Sequence, residues 1–182
     1  MPECGYSEIL GNNASFNNHS GIYLYYCWDS LLSGNTLSHN NYGVYLNTSN
    51  YNTIYFNNFV QNIEHLFLFN IYQYKLSNIL NSSNQVLYTY NASEYTSVIG
   101  NYWDDYTGND VNYDGIGDTP FIIGGDIDYY PLMEPIENYE IIEILEPEDS
   151  EPSTKIPGYN LFFLLGILSV AVILISKKLK KS

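Results

Sequence analysis

Residues 31–46 read LLSGNTLSHNNYGVYL, and residues 53–68 read TIYFNNFVQNIEHLFL. Placed one above the other at a shift of 22, they match Leu32 with Ile54, Asn35 with Asn57 and Asn40 with Asn62. Val44-Tyr45-Leu46 falls on Leu66-Phe67-Leu68. The same shift backwards reaches Leu10, Asn13, Asn18 and Gly21-Ile22-Tyr23-Leu24. A period between about 20 and 50 residues marks a solenoid. Each unit holds short alternating apolar runs between Asn, Ser and Gly, with no capped helical period and no leucine-rich spacing. The expectation is an all-β parallel β-helix, one rung per 22 residues, with rungs about 4.8 Å apart.

Stacking explains the composition. Equivalent residues of successive rungs lie above one another, so Leu, Ile and Val form inward columns. Asn at the turns tolerates a left-handed backbone and ladders its amide onto the Asn above. Tyr23 and Tyr45 sit between inward-pointing neighbours, so they face outward and stack on each other. Two readings of that pair stand: a carbohydrate platform, or an aromatic ladder that steadies a polar β face with no ligand.

The pattern N-x-I-x-x-N followed by G-[IV]-Y-L resembles the right-handed parallel β-helix repeats of the NosD-like family. Residues 100–132, GNYWDDYTGNDVNYDGIGDTPFIIGGDIDYYPL, are similar to the segment that closes the β-helix in NosD-like and related archaeal surface proteins. The resemblance covers roughly residues 5–133 and implies a right-handed solenoid. The family's namesake is a periplasmic protein implicated in maturing a copper enzyme, nitrous-oxide reductase. Many relatives share only the repeat, so the resemblance carries no copper role by itself.

Within the closing segment, Asp110-x-Asn112-x-Asp114-Gly115-Ile116-Gly117-Asp118 places oxygen side chains at alternate positions with Gly sixth, as in a Ca²⁺ loop. The metal candidates are Asp110, Asn112, Asp114, the Ile116 carbonyl and Asp118, with Asp126 or Asp128 as completing ligands. Position twelve is Phe121 rather than a bidentate acid, which excludes an EF-hand. The competing reading is an Asx-turn loop that merely closes the solenoid. Trp103 is either a sugar-stacking residue or, with Tyr102, a cover for the open hydrophobic end.

Catalysis is not expected in this stretch. A polysaccharide lyase on a β-helix uses Arg or Lys as base, whereas the chain has no Arg and Lys75 is the one Lys in the repeats. No acid recurs at the period to supply a glycosidase pair. A copper site is not expected either, because His19, His39 and His65 are spaced off the period and read as solvated turn residues. Cys4 and Cys27, one rung and one residue apart, are either a disulfide or two neighbouring thiols. Five sequons (Asn13, Asn18, Asn47, Asn81, Asn91) are acceptors wherever a glycosylation machinery exists.

Charge maps topology. Of 182 residues, 20 are acidic and 6 are Lys, a net charge of -14. Before Tyr159 lie all the acids and only Lys75 and Lys155, so that part carries 2 − 20 = -18. This excludes nucleic acid as a partner and disfavours acidic polymers. Residues 159–176 are uncharged, long enough as a helix to span a bilayer, and Lys177, Lys178, Lys180 and Lys181 follow at once. The expected order is β-helix (1–99), capping segment (100–133), acidic Pro-containing stalk (134–158), transmembrane helix (159–176) and cytoplasmic basic tail (177–182). Within the stalk, Ile141-Ile142-Glu143-Ile144-Leu145 has a second reading, a strand added to a neighbouring edge. Pro157-Gly158-Tyr159 before the span resembles archaeal C-terminal sorting signals, which implies an alternative lipid anchor. The N-terminal MPECGYSEIL has neither a basic nor an apolar signal region, so the chain is expected to be the C-terminal part of a longer solenoid.

The functional expectation is a membrane-anchored extracellular β-helix that binds carbohydrate or another envelope component without catalysis. A fragment of a polysaccharide-active enzyme with its catalytic rungs upstream is the alternative, and a copper-related accessory protein the third reading.

Overall fold

The computed structural model describes residues 4–70 and 77–146. They form a right-handed, all-β solenoid of about three turns. Three parallel sheets make its faces. The first stacks Glu8–Leu10, Leu31–Ser33 and Thr53–Tyr55. The second stacks Asn13–Ser15, Thr36–Ser38, Asn58–Val60 and Tyr102–Trp103. The third, built of the longest strands, stacks Ser20–Tyr25, Tyr42–Asn47 and Glu64–Phe69. Inside, Leu32 and Ile54, Leu37 and Phe59, and Val44 and Leu46 are fully buried, each side chain contributing about 1.5–3 kcal/mol of burial.

The first rung corrects the strict period. Ile9, not Leu10, stacks on Leu32, and Ala14 stacks on Leu37. That rung is 23 residues long up to the turn near His19, after which Ile22 and Val44 are again 22 apart. Consequently Asn12 and Asn17, not Asn13 and Asn18, enter the Asn columns. A second expectation also shifts. The left-handed residue at each corner is the one before the Asn: Gly11, Gly34 and Phe56 in one column, and Phe16, His39 and Gln61 in another. The left-handed residue turns the chain so that the following Asn points inward. There its Oδ1 accepts both the backbone N–H and the Nδ2 of the Asn one rung before. Asn35 receives Asn12 at 2.9 and 3.1 Å, and Asn57 receives Asn35 at 3.0 and 2.9 Å. A non-Gly residue at such a corner costs about 1–2 kcal/mol, and these buried bonds offset it.

Asn57 then bonds to Asn101, 44 residues away. The last rung is therefore interrupted. Its first-face position is Ile79, which bridges Thr53, and its second-face strand is Tyr102–Trp103, which pairs with Asn58–Val60. Between them an antiparallel hairpin, Gln85–Tyr90 with Ser93–Ser97, leaves the solenoid.

Tyr139–Leu145 joins this hairpin antiparallel to Gln85–Tyr90. The segment assigned to the stalk from Glu134 thus holds a 3-10 turn, Ile136–Asn138, and then this strand, and the edge-addition reading of Ile141–Leu145 is the one that holds. The strand's first residue, Tyr139, is buried while Glu140 to Ile144 are exposed, so the acids stay in water as the strand pairs. Val86, Tyr88, Tyr90, Ile99, Ile116, Leu132 and Tyr139 make a second core. The remaining stalk, the transmembrane helix 159–176 and the basic tail 177–182 lie outside the described residues. Among the described residues no helix is long and apolar enough to cross a membrane.

Candidate functional site

On the long-strand face, alternation turns Ile22, Leu24, Val44, Leu46 and Leu66 inward and leaves Tyr23, Tyr45 and Phe67 outside. These three form one column. Tyr23 and Tyr45 have ring centroids 5.1 Å apart, and Tyr45 and Phe67 are 5.0 Å apart. The expected Tyr pair is present, tilted at 59° rather than face to face, and Phe67 extends it. His19 and Tyr42 flank Tyr45 at 5.2 Å each, and the Tyr23 hydroxyl accepts from Asn47 Nδ2 at 2.9 Å. Tyr23 is 50% exposed. Partial burial, and then the neighbouring Tyr23 and Tyr42, raise the Tyr45 hydroxyl above its ordinary pKa. The result is an aromatic surface whose ring faces and hydroxyls suit the C–H faces and hydroxyls of a sugar.

Trp103 lies elsewhere. It is 1% exposed, stacks on Phe59 at 4.3 Å and donates its indole N–H to Asp128 Oδ2 at 2.9 Å. Neither ring face is open to a ligand. Of the two readings for this residue, the geometry matches the cover over the solenoid's end.

Asp128 ends the Asn column. Its Oδ2 accepts the Asn101 backbone N–H at 2.8 Å and the Asn101 Nδ2 at 3.4 Å, and its Oδ1 accepts the Tyr130 N–H at 3.0 Å. Asp126 does the same for the Asn52–Asn78 column. A last ladder member needs acceptors and has no rung to donate to, which is what a carboxylate offers. Burial pushes the Asp128 carboxyl up to about 6, while the four converging N–H donors pull it the other way. Asp126 and Asp128 are thereby engaged with the Asn columns.

In that loop every carboxylate already faces an N–H. Asp110 accepts from Asp114 and Gly115, Asp114 from Ile116, and Asp118 from Val111, the last three at 2.8 Å. Asn112 Nδ2 donates to Asp114 Oδ2 at 2.9 Å. Tyrosine hydroxyls then hold the backbone: Tyr95 on the Tyr113 carbonyl, Tyr88 on Asp114 and Tyr139 on Gly115. Burial, followed by Asp114 and Asp110, raises the Tyr88 hydroxyl far above its ordinary value, so it remains a donor. Gly115 is required at φ +87°, with the Tyr90 and Tyr139 rings where a Cβ would sit.

His65 was read with the solvated turn histidines, and the structure corrects this. It is buried at 4%, on a strand, at the position held by Gly21 and Gly43 in the rungs before. A Cβ at Gly43 would lie 2.5 Å from the His65 carbonyl oxygen, so a side chain fits only where no further rung is stacked above. Its Nε2 lies 2.9 Å from Asp104 Oδ1 and 3.2 Å from Asp105 Oδ1. This is the one group of three metal-capable side chains among the described residues. The tautomer follows from the ladder. Asn62 Oδ1 accepts two N–H bonds from Asn40, so Asn62 Nδ2 must face His65 Nδ1, at 3.3 Å. Nδ1 is then the acceptor, and Nε2 carries the hydrogen that the aspartates receive. The histidine position in the Gly column was visible in the repeat, but its partners Asp104 and Asp105 were not.

A family model described as periplasmic copper-binding protein (NosD) matches residues 1–108, more than half of the chain. The chain belongs to the NosD family. No curated protein and no solved structure matches it. The NosD β-helix is of a periplasmic or surface type, compatible with an extracellular location. Cys4 and Cys27, which pair in register, are joined as a disulfide with Cα atoms 4.6 Å apart, in keeping with an oxidising compartment. The family description raises copper, and the described residues do not fit it. Both thiols are consumed by the disulfide, the one buried imidazole, His65, meets two carboxylates and no second imidazole, His19 sits among tyrosines and His39 stacks on Phe16 at 4.4 Å. Soft sulfur and grouped imidazoles, the donors copper favours, do not meet.

Proposed function

We propose that this NosD-family chain is a noncatalytic cell-surface module that binds neutral carbohydrate along the column Tyr23–Tyr45–Phe67. The observation carrying the reading is that column: three aromatics in successive rungs, about one rung apart, on an outer face. An acidic chain of net charge -14 repels acidic polymers, which points to neutral glycans. A second depression, of about 520 Å³ and bordered by Tyr51, Tyr55, Ile79 and Asn84, has Asp29 as its one acid among the described residues. One carboxylate is short of the pair a glycosidase uses, which supports binding over hydrolysis.

The proposal includes two further elements. The sequence 159–176 with its trailing lysines anchors the chain in the membrane, the β-helix outside and the C-terminus in the cytoplasm. A Ca²⁺ ion braces the loop at Asp110, Asn112, Asp114, Ile116 and Asp118, supported by the alternate spacing of oxygens around Gly115. The testing experiment is a glycan array probed with the detergent-solubilised full chain, alongside Tyr23→Ala/Tyr45→Ala. Retention of neutral glycans by the parent and loss in the double variant is the expected result. Silence across the array, or equal binding by both proteins, refutes the carbohydrate reading.

A further inference from the structure

Beside the Asp110–Asp118 loop the closing assembly holds a cavity of about 520 Å³, bordered by Tyr90, Asp110, Tyr113, Met133 and Glu134, a size usual for a small-molecule site. The chain brings its walls together from three places. Tyr90 ends the strand Gln85–Tyr90, and Asp110 and Tyr113 come from the loop. The bridge of Ile116 to Leu132, with the Met133 N–H on the Gly115 carbonyl at 2.9 Å, sets Met133 and Glu134 against that loop. Asp110 and Glu134 supply two carboxylates, and no cationic side chain borders the cavity. Lys and Arg are absent among the described residues altogether, so nothing there offsets the two charges.

Each wall is fixed in advance. Asp110 accepts the N–H groups of Asp114 and Gly115 at 3.2 and 2.8 Å. The Tyr113 backbone is left-handed at φ +60° and its carbonyl receives the Tyr95 hydroxyl at 3.0 Å, yet the residue is 76% exposed. The Glu134 N–H donates to the Tyr139 hydroxyl at 3.3 Å, and its carboxylate is hydrogen-bonded to Tyr90. Burial, and then the Glu134 charge, raise the Tyr90 hydroxyl above its ordinary pKa, so this ring adds no negative charge of its own.

We propose that the cavity binds a small alkylated ammonium ion, with Asp110 and Glu134 as counter-charges and Tyr113, Tyr90 and the Met133 thioether around its carbon shell. A tyrosine ring attracts a cation, and a thioether is soft and polarisable against methyl groups. A hard divalent ion fits this cavity less well, because ring carbon and thioether sulfur do not replace its oxygen ligands. An anion meets two like charges. Because the walls stand in place before the ligand arrives, little ordering is lost on binding.

The experiment titrates choline chloride into the detergent-solubilised full chain by isothermal calorimetry, with sodium chloride holding the ionic strength constant. Runs in EGTA and in calcium chloride separate the cavity from the adjoining loop. The uncharged isostere of choline, with a tert-butyl group in place of trimethylammonium, serves as control and leaves the protein untouched. Expected is saturable binding of choline and none of the isostere. Glu134→Gln, and Tyr113→Asn, which suits the left-handed backbone, should each weaken choline binding by about fivefold or more, with urea unfolding showing that both variants fold. No saturable binding in either calcium condition, equal binding of the isostere, or undiminished binding by both variants overturns the proposal.

Discussion

The solenoid rungs and the assembly that closes them hold together by different means. In the rungs each residue is bonded to its counterpart about 22 positions away, so one rule serves every turn: apolar column, left-handed corner, Asn. In the closing assembly few contacts repeat, the Asp126 and Asp128 caps among them. Tyr88, Tyr95 and Tyr139 each clamp a different carbonyl of one loop, and Asp128 gathers four N–H donors from three residues. A repeated bond distributes its loss over many copies, whereas a unique bond has no substitute. Damage should therefore be worse at the closure than its size suggests.

The largest expected effect comes from the junction of the two. Trp103→Ala removes a buried ring that touches Phe59, Phe121 and Asp128 and should lower unfolding free energy by about 3–5 kcal/mol. Urea unfolding checks it; a loss below about 1 kcal/mol would show that the cover is not needed. Next is the pH dependence of Asp128. Its carboxyl, ordinarily near 3.8, rises to about 6 on folding. The folded state therefore binds the proton more tightly. The stability contributed by this group is complete below about pH 4, declines as pH rises, and is gone above about 6, in all about 3 kcal/mol. Comparing parent and Asp128→Asn at pH 4 and 7 isolates the slope. Identical pH profiles for the two proteins would contradict the assignment.

Reducing the Cys4–Cys27 disulfide, which closes a loop spanning 23 residues, should cost about 3 kcal/mol. The loss should act on the first rung, so hydrogen exchange there should quicken while the Tyr139 strand keeps its protection. Uniform acceleration would mean that rungs and closure unfold as one. The smallest effect is Tyr139→Phe. It deletes the hydroxyl donated to the Gly115 carbonyl but keeps the ring stacked on Tyr90 at 4.8 Å. About 1–2 kcal/mol is expected, read as a lowered melting temperature, with the aromatic column's glycan binding unchanged.

The same contrast sets what could be read in advance. Stacking makes a rung's neighbour computable from its own number, so the fold, the inward Leu and Ile columns and the outward Tyr23–Tyr45 pair were legible. One extra residue near His19 was enough to misplace Leu10, Asn13 and Asn18 by a single position. Asn57 meeting Asn101 was hidden because a hairpin separates them, and nothing in residues 81–99 marks that they leave the stack. Asp126 and Asp128 looked like metal ligands, since ladder caps and ion ligands both call for buried carboxylate oxygens. Which donors converge on them is decided by tertiary position alone. The Tyr139–Leu145 strand was outweighed by its acids, Glu140 and Glu143, which stay in water as the strand pairs.

The hairpin has a consequence for how such chains change. Because Asn101 takes up the register that Asn57 leaves, the stack does not count the residues between Leu80 and Gly100. That interval behaves as a cassette. The rungs set no length for it so long as the re-entry residue is an Asn; its content answers instead to the second core, to which it gives Val86, Tyr88, Tyr90 and Ile99.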